Sequence, residues 1–364
     1  SWDRFQNRAK SLVLQEICYH KKNLSRITSS STQSTFTINP PRQNMKLSAL
    51  LLALLGALSS AHAANPIVTN IFTTDPTVLG EGGRLYMSTG RDETKKGGKG
   101  YTMNEWRLYS TCDMKSWVDH GVVGGWRTFA WAKSDAYAPD IVKRNGKYYL
   151  YGPVQHDATK PGFAIGVAVA DSPLGPFKDA RGSALITNDM TRETPNGWDD
   201  IDPGVFVDDD GQAYMYFGNK VLKYVKLKPN MIELDGPVHT VGLFEFEEAP
   251  YLHKRKGVYY LTYASRLPEV IAYATGPSPT GPWTYRGVIM KKNKFTHTIH
   301  QSFAEFNGKS YFFYHNDAVS NADFRRSAAV EEFSYGKNGE IPLIKQTRSG
   351  PAANPGPGCA KPSP

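Results

Sequence analysis

The sequence predicts an all-β chain folded as a five-bladed β-propeller, and three observations predict it. A glycine is followed three residues later by a tyrosine five times, at Gly83–Tyr86, Gly146–Tyr149, Gly211–Tyr214, Gly257–Tyr260 and Gly308–Tyr311, with spacings of 63, 65, 46 and 51 residues. Upstream of each copy, by about ten residues, lies a short run with a polar group: Asp75-Pro-Thr-Val, Ala138-Pro-Asp-Ile, Asp202-Pro-Gly-Val, Glu248-Ala-Pro-Tyr and His300-Gln-Ser-Phe. No stretch after residue 63 carries a sustained helical stripe. A repeat of this length with strand–turn–strand content in each copy marks a radial array. Five copies make five blades.

The elements follow in chain order. Residues 1–44 start at Ser1, show no periodicity and are Ser/Thr-rich from Ser29 to Thr37, so they are expected to be upstream sequence outside the fold. Met45-Lys46, an apolar run from Leu47 to Leu58 broken only by Ser48 and Gly56, and Ala61-His62-Ala63 have the layout of a secretory signal peptide. The run is too short to span a bilayer. A secreted, extracellular protein is therefore expected, with no membrane partner.

Residues 64–350 are expected to form the propeller. Aromatic-rich runs such as 146–152, 212–218 and 310–315 are bounded by turn residues and read as strands. Asn145-Gly146, Asp210-Gly211 and Asn307-Gly308 favour tight hairpins. A second repeat, ending at Trp117, Phe177 and Trp283, marks the turn into the outermost strand of blades one, two and four, and assigns those aromatics to blade packing. The tail, 351–364, is rich in Pro and Gly and is expected to be irregular. In an exported chain Cys112 and Cys359 could pair and tie that tail to blade one; unpaired thiols are the alternative.

The formal charge of +9 is mostly the leader's, since residues 1–63 hold eight Lys/Arg and two Asp/Glu. The remainder is near +3 and has no basic stripe with interleaved aromatics, so no nucleic-acid partner is expected. One domain of this size suggests a monomer.

Equivalent positions of a propeller converge on one axis, which would gather Asp75, Asp202, Glu248 and His300 at one mouth. Asp140 follows its proline instead of preceding it and reads as structural. Asp208, Asp209 and Asp210 read as turn chemistry.

The stretches Phe72-Thr-Thr-Asp-Pro-Thr77, Tyr137-Ala-Pro-Asp-Ile141, Asp200-Ile-Asp-Pro-Gly-Val-Phe206, Phe246-Glu-Glu-Ala-Pro-Tyr251, Gly281-Pro-Trp-Thr-Tyr-Arg-Gly287 and Phe324-Arg-Arg-Ser-Ala-Ala-Val-Glu331 resemble glycoside hydrolase family 43, within it the β-xylosidase/α-L-arabinofuranosidase branch. The resemblance spans the whole region after the leader. It implies a secreted, inverting hydrolase acting on hemicellulose oligosaccharides, with Asp75 as general base, Glu248 as general acid and Asp202 holding the acid and raising its pKa.

Elementary chemistry asks for the same trio. Breaking a glycosidic bond needs a proton donor on the leaving oxygen and a second carboxylate near the anomeric carbon. A free Glu titrates near ~4.3, so the donor needs burial or a neighbouring negative charge to stay protonated. Glu247 competes with Glu248; the family spacing to the proline favours Glu248, and strand alternation is expected to point Glu247 the other way. Arg325 or Arg326 is expected to bind sugar oxygens, with Trp131, Tyr137 and Phe72 as candidates for the apolar wall of the sugar pocket and packing of two of the three as the alternative.

In the family a histidine in the His300 run sits on the axis beside a hydrated calcium ion. Here Ile299 stands where the family has Asn, and a metal-free axial histidine is the alternative. No other cofactor is implied. An endo-arabinanase of the same family and a non-catalytic sugar-binding propeller are the rival functions.

Overall fold

The computed structural model describes residues 65–191 and 197–356, and the leader, the signal-peptide-like segment and Cys359 lie outside these. Four sheets of four or five strands and one of three follow one another along the chain. Blade one holds Thr73–Glu81, Arg84–Arg91, Glu105–Thr111 and Trp117–Gly125 in antiparallel order. In blade two, Ala132–Ala136 and Asp140–Arg144 share the partner Lys147–His156, with Phe163–Ala170 and Lys178–Asp179 outside it. Blade three runs Gly204–Val207, Ala213–Phe217, Leu222–Leu227 and His239–Val241. Blade four runs Phe246–Arg255, Val258–Ser265, Val270–Gly276 and Thr284–Met290. Blade five keeps three strands, Gln301–Phe306, Lys309–Asn316 and Ser327–Phe333. The expected five-bladed propeller is what the chain forms.

The repeated Gly-x-x-Tyr has a physical reason at both ends. Each glycine turns the innermost hairpin of its blade in the left-handed region, at φ 74° for Gly83, 75° for Gly146, 84° for Gly211, 77° for Gly257 and 75° for Gly308. A side chain there would be strained. Each tyrosine, three residues on, is buried in the second strand. Aromatic and β-branched residues of neighbouring blades interleave between the sheets, as Tyr149, Val167, Met215 and Val225 do between blades two and three. Phe177 is buried, and Trp117 and Trp283 pack partly buried against their blade cores, as the second repeat predicts.

The ring is tied at its seam by the start of the described chain. Asn65 clasps the backbone of Val330 in both directions, donating from Nδ2 to the carbonyl at 2.8 Å and accepting the amide on Oδ1 at 2.9 Å. Ile67 N donates to Ala328 O at 2.8 Å. The tail is irregular but anchored. Asn354 Nδ2 donates to Phe306 O at 3.1 Å and to Tyr311 Oη at 2.9 Å, and Gly356 N donates to Cys112 O at 3.2 Å. Cys112 is in a disulfide, whose partner lies outside the described residues. No described helix is long and apolar enough to cross a membrane.

Candidate active site

Where the innermost strands of three blades begin, the backbone departs from ideal β geometry, and each departure turns a carboxylate into one cavity of about 260 Å³. Asp75 sits at a register break between Thr74 and Thr77, with φ 51°. Asp202 precedes Gly204–Val207 with φ 57°. Glu248 has a register break on each side, and Ala249 beside it has φ 55°. A non-glycine residue in that region costs about 1–3 kcal/mol and persists only where its surroundings hold it.

At Asp75 the surroundings are cationic. Arg326 Nη1 donates to Oδ1 at 3.2 Å, Thr74 Oγ1 donates to the same oxygen at 2.8 Å, and His315 Nδ1 lies 3.0 Å from it. Arg326 is itself fixed by Asp92, donating from Nη2 to Oδ1 and from Nε to Oδ2, both at 3.0 Å. Burial would raise the Asp75 carboxyl, but the Arg326 guanidinium and the His315 contact overcome it and hold the group well below the usual carboxylate range. These bonds all fall on Oδ1. Oδ2 has no hydrogen-bond partner among the described residues.

At Glu248 the balance is reversed. Burial first, then the Asp75 charge, push its carboxyl up to about 7, against a single hydrogen bond from Asn219 Nδ2 to Oε2 at 2.9 Å. Its Oε1 has no hydrogen-bond partner among the described residues either. Asp202 accepts the Ala249 amide on Oδ2 at 3.1 Å, which fixes the backbone beside Glu248. Asp202, expected to supply the charge that lifts Glu248, is itself pushed well above the usual range by burial and then by the Glu248 and Asp75 charges.

The structure gathers six of the nine residues singled out from sequence: Asp75, Asp202, Glu248, His300, Arg326 and Tyr137 line the cavity. Three do not. Arg325 lies over the Phe72 ring at 5.2 Å, so the two satisfy one another outside the cavity lining. Of the two adjacent arginines, only Arg326 turns inward. Trp131 stacks on Phe129 at 5.1 Å and on His156 at 5.0 Å, because the segment after blade one folds back onto the core of blade two. Glu247 also departs from expectation. The breaks flanking Glu248 abolish strict alternation, so Glu247 lines the same cavity, paired with Lys220. Asp140 accepts the Val205 amide at 2.8 Å and ties blade two to blade three.

His300 Nδ1 lies 3.8 Å from Asp75 Oδ1 and 3.9 Å from Asp202 Oδ2. Burial holds its imidazole down at about 4, with His315 and Arg326 adding to the effect against the pull of Asp75. It is neutral at neutral pH. Calcium takes about six to eight oxygen ligands. Among the described residues no group of three or more His, Cys, Asp or Glu side chains could hold a metal ion.

Sequence reasoning missed the rest of the lining. Tyr101 and Met103 come from the long connection inside blade one, Trp198 from the connection to blade three, Asn219 from a blade-three hairpin, and Leu267 and Glu269 from a blade-four hairpin. Tyr101 carries the Arg326 guanidinium over its ring at 4.4 Å, and Tyr137 packs 5.5 Å from Trp198. For Tyr101, Met103 and Trp198 the signal available was that long connections of a propeller project at its mouth; the short hairpins that carry Asn219, Leu267 and Glu269 gave none.

Known proteins share this fold and its sequence family. The model of glycosyl hydrolases family 43 matches residues 63–341. A xylosidase/arabinosidase of Humicola insolens is 33% identical over 76% of this chain and 98% of its own, and one of Bacteroides ovatus is 32% identical over 77% and 97%. Among solved structures, a β-xylosidase/α-arabinofuranosidase from a compost microbial metagenome, in complex with xylotriose and in a calcium-free form, superposes with a TM-score of 0.70 at 31% identity, over 78% of this chain and 97% of that one. The chain belongs to glycosyl hydrolases family 43 and is a glycosidase.

Proposed function

We propose that this glycosidase releases terminal xylose or arabinofuranose units from hemicellulose-derived chains in one displacement by water, with inversion. What supports the reading is that two carboxyls on one small cavity are shifted in opposite directions. Against burial, the Arg326 guanidinium and the His315 contact hold Asp75 well below the usual range, and burial with the Asp75 charge pushes Glu248 up to about 7. Glu248 donates its proton to the departing glycosidic oxygen as the bond to the anomeric carbon breaks. A water attacks that carbon from the other face, and its proton passes to Oδ2 of Asp75, the oxygen with no hydrogen-bond partner among the described residues. Asp202 takes no proton from substrate; through Ala249 it keeps the backbone beside Glu248 in place.

Several observations favour terminal units. The cavity is small, and Tyr101, Met103, Trp198 and Leu267 from three connections wall it. Relatives named for xylosidase and arabinosidase activity cover nearly their whole length with this chain. An aryl β-xyloside and an aryl α-L-arabinofuranoside, assayed side by side with a linear xylo-oligosaccharide, test the reading. Hydrolysis of at least one aryl glycoside, with monosaccharide as the first product from the oligosaccharide, is expected. Internal cleavage alone, or no hydrolysis of any of the three, would overturn it. Secretion is proposed from residues 45–63, and N-terminal sequencing of exported protein should begin at Ala64.

A further inference from the structure

Two carboxyls of the cavity lining, Glu247 and Glu269, have no part in the proposed mechanism; Glu247 is paired with Lys220, and Glu269 has no such cation among the described residues. Glu269 stands just before Val270–Gly276 in blade four and is only 1% exposed. Its Oε2 accepts the Ile299 amide at 2.7 Å, and its own amide donates to His297 O at 2.9 Å, so backbone from the edge of blade five fixes both ends of the residue. Its Oε1 is buried and has no hydrogen-bond partner among the described residues. Buried polar atoms are nearly always paired, and one left over calls for an explanation.

We propose that Glu269 is a sugar-recognition residue, whose Oε1 hydrogen-bonds one hydroxyl of the pentose held in the cavity. The inference rests on the pentoside reading above and adds to it the group that selects for that hydroxyl. Burial, and then the charges of Glu248 and Asp202, push the Glu269 carboxyl well above its usual range. In its protonated form the carboxyl accepts from Ile299 on Oε2 and has an Oε1–H to offer the sugar. A neutral donor also adds no charge beside Glu248, so the acid keeps its own poise. A pentose without the matching hydroxyl leaves the Oε1 proton unpaired, which is how a buried hydrogen-bonding group rejects an analogue.

The test compares wild type, Glu269→Gln and Glu269→Met by equilibrium binding of methyl β-xyloside and its 2-, 3- and 4-deoxy derivatives, alongside hydrolysis of the parent aryl xyloside. Glutamine keeps an acceptor for Ile299 and a donor at the Oε1 position. It is expected to bind within about threefold of wild type, whereas methionine should lose on the order of 10- to 100-fold. The loss should vanish for one deoxy derivative, because that ligand has already lost the same bond. A methionine loss of equal size on all four ligands, in protein with an unchanged melting temperature, would make Glu269 a structural strut and overturn the proposal. So would no loss at all. Pentoside binding without hydrolysis by wild type would fail the catalytic reading alone, and no pentoside binding would overturn both.

Discussion

The mouths of blades one and four hold carboxylates at equivalent places in the repeat, yet their pKa values are shifted in opposite directions. Both sit beside a break in the first strand of their blade, both are anchored through one oxygen, and the other oxygen of each has no hydrogen-bond partner among the described residues. The difference is what the neighbouring blades bring. Asp75 receives Arg326 and His315 from blade five, and Arg326 arrives already clamped by Asp92. Glu248 receives one neutral amide, from Asn219, and faces the charges of Asp75 and Glu247. A symmetric scaffold can thus hold an acid and a base a short way apart, provided its connecting segments are not symmetric.

The first way to break this comparison is to delete the acid. Glu248→Ala should lower turnover of xylosides with poorly acidic leaving groups by about 10²–10⁴-fold, while aryl glycosides with acidic phenols lose far less, since such a leaving group needs little protonation. Initial rates across a series of phenols would show this as a steeper dependence on leaving-group acidity. Equal losses throughout would move the acid to Glu247, the neighbouring carboxylate in the same cavity.

Removing the cation from the other side is the second. Arg326→Met leaves Asp75 and Asp92 buried without their partner, and breaking a buried pair in this way costs about 3–5 kcal/mol. The Asp75 pKa is depressed in the folded state, so its contribution to stability is present above the unfolded carboxylate value, near ~3.9, and is lost only as pH falls through the depressed folded value. Urea titrations from pH 7 downward should show the variant less stable at every pH, with the gap narrowing below about pH 4. A gap that does not change with pH would mean that Arg326 contributes packing alone.

A smaller effect separates the roles of Asp202. Asn at this position keeps an oxygen for the Ala249 amide, and Ala does not. Turnover should therefore fall roughly tenfold further in Asp202→Ala than in Asp202→Asn, the worth of one buried hydrogen bond. Identical losses would place the importance of Asp202 in its charge.

The smallest shift is expected from Lys220→Met. It removes the cation paired with Glu247 and leaves that carboxylate free to act on Glu248. Added negative charge raises the Glu248 pKa, so the alkaline limb of the pH–rate profile, expected near 7 in wild type, should move upward. Lys220 is 54% exposed in its side chain, and solvent screening keeps the movement to a few tenths of a pH unit. A downward movement would contradict the assignment of Glu248 as the group seen in that limb.

The fold was legible because its repeat is written in residues with physical duties: glycines that must turn at positive φ and tyrosines that must be buried three positions later. The carboxylates were legible because they recur at fixed distances before those glycines. What failed were inferences from adjacency. Phe72 and Trp131 flank strand starts, but an aromatic ring beside a strand start has several places to pack, and Arg325 and blade two claimed them. Glu247 was misplaced because alternation holds only in an unbroken strand, and this one is broken on both sides of Glu248. Tyr101, Asn219 and Glu269 lie on the connections between the second and third strands of blades one, three and four, which share neither length nor residues, and Trp198 lies on the connection into blade three, so the glycine–tyrosine repeat could not announce them.

The proton NMR spectrum of the first sugar released from an aryl β-xyloside tests the division of labour between blades one and four most directly. A water activated by Asp75 on the face opposite Glu248 gives inversion, so the α-anomer should appear first and the β-anomer only as mutarotation proceeds. A β-anomer in the first minutes would show that a carboxylate had bonded to the anomeric carbon, and it would contradict both the single displacement and the assignment of Asp75 as base.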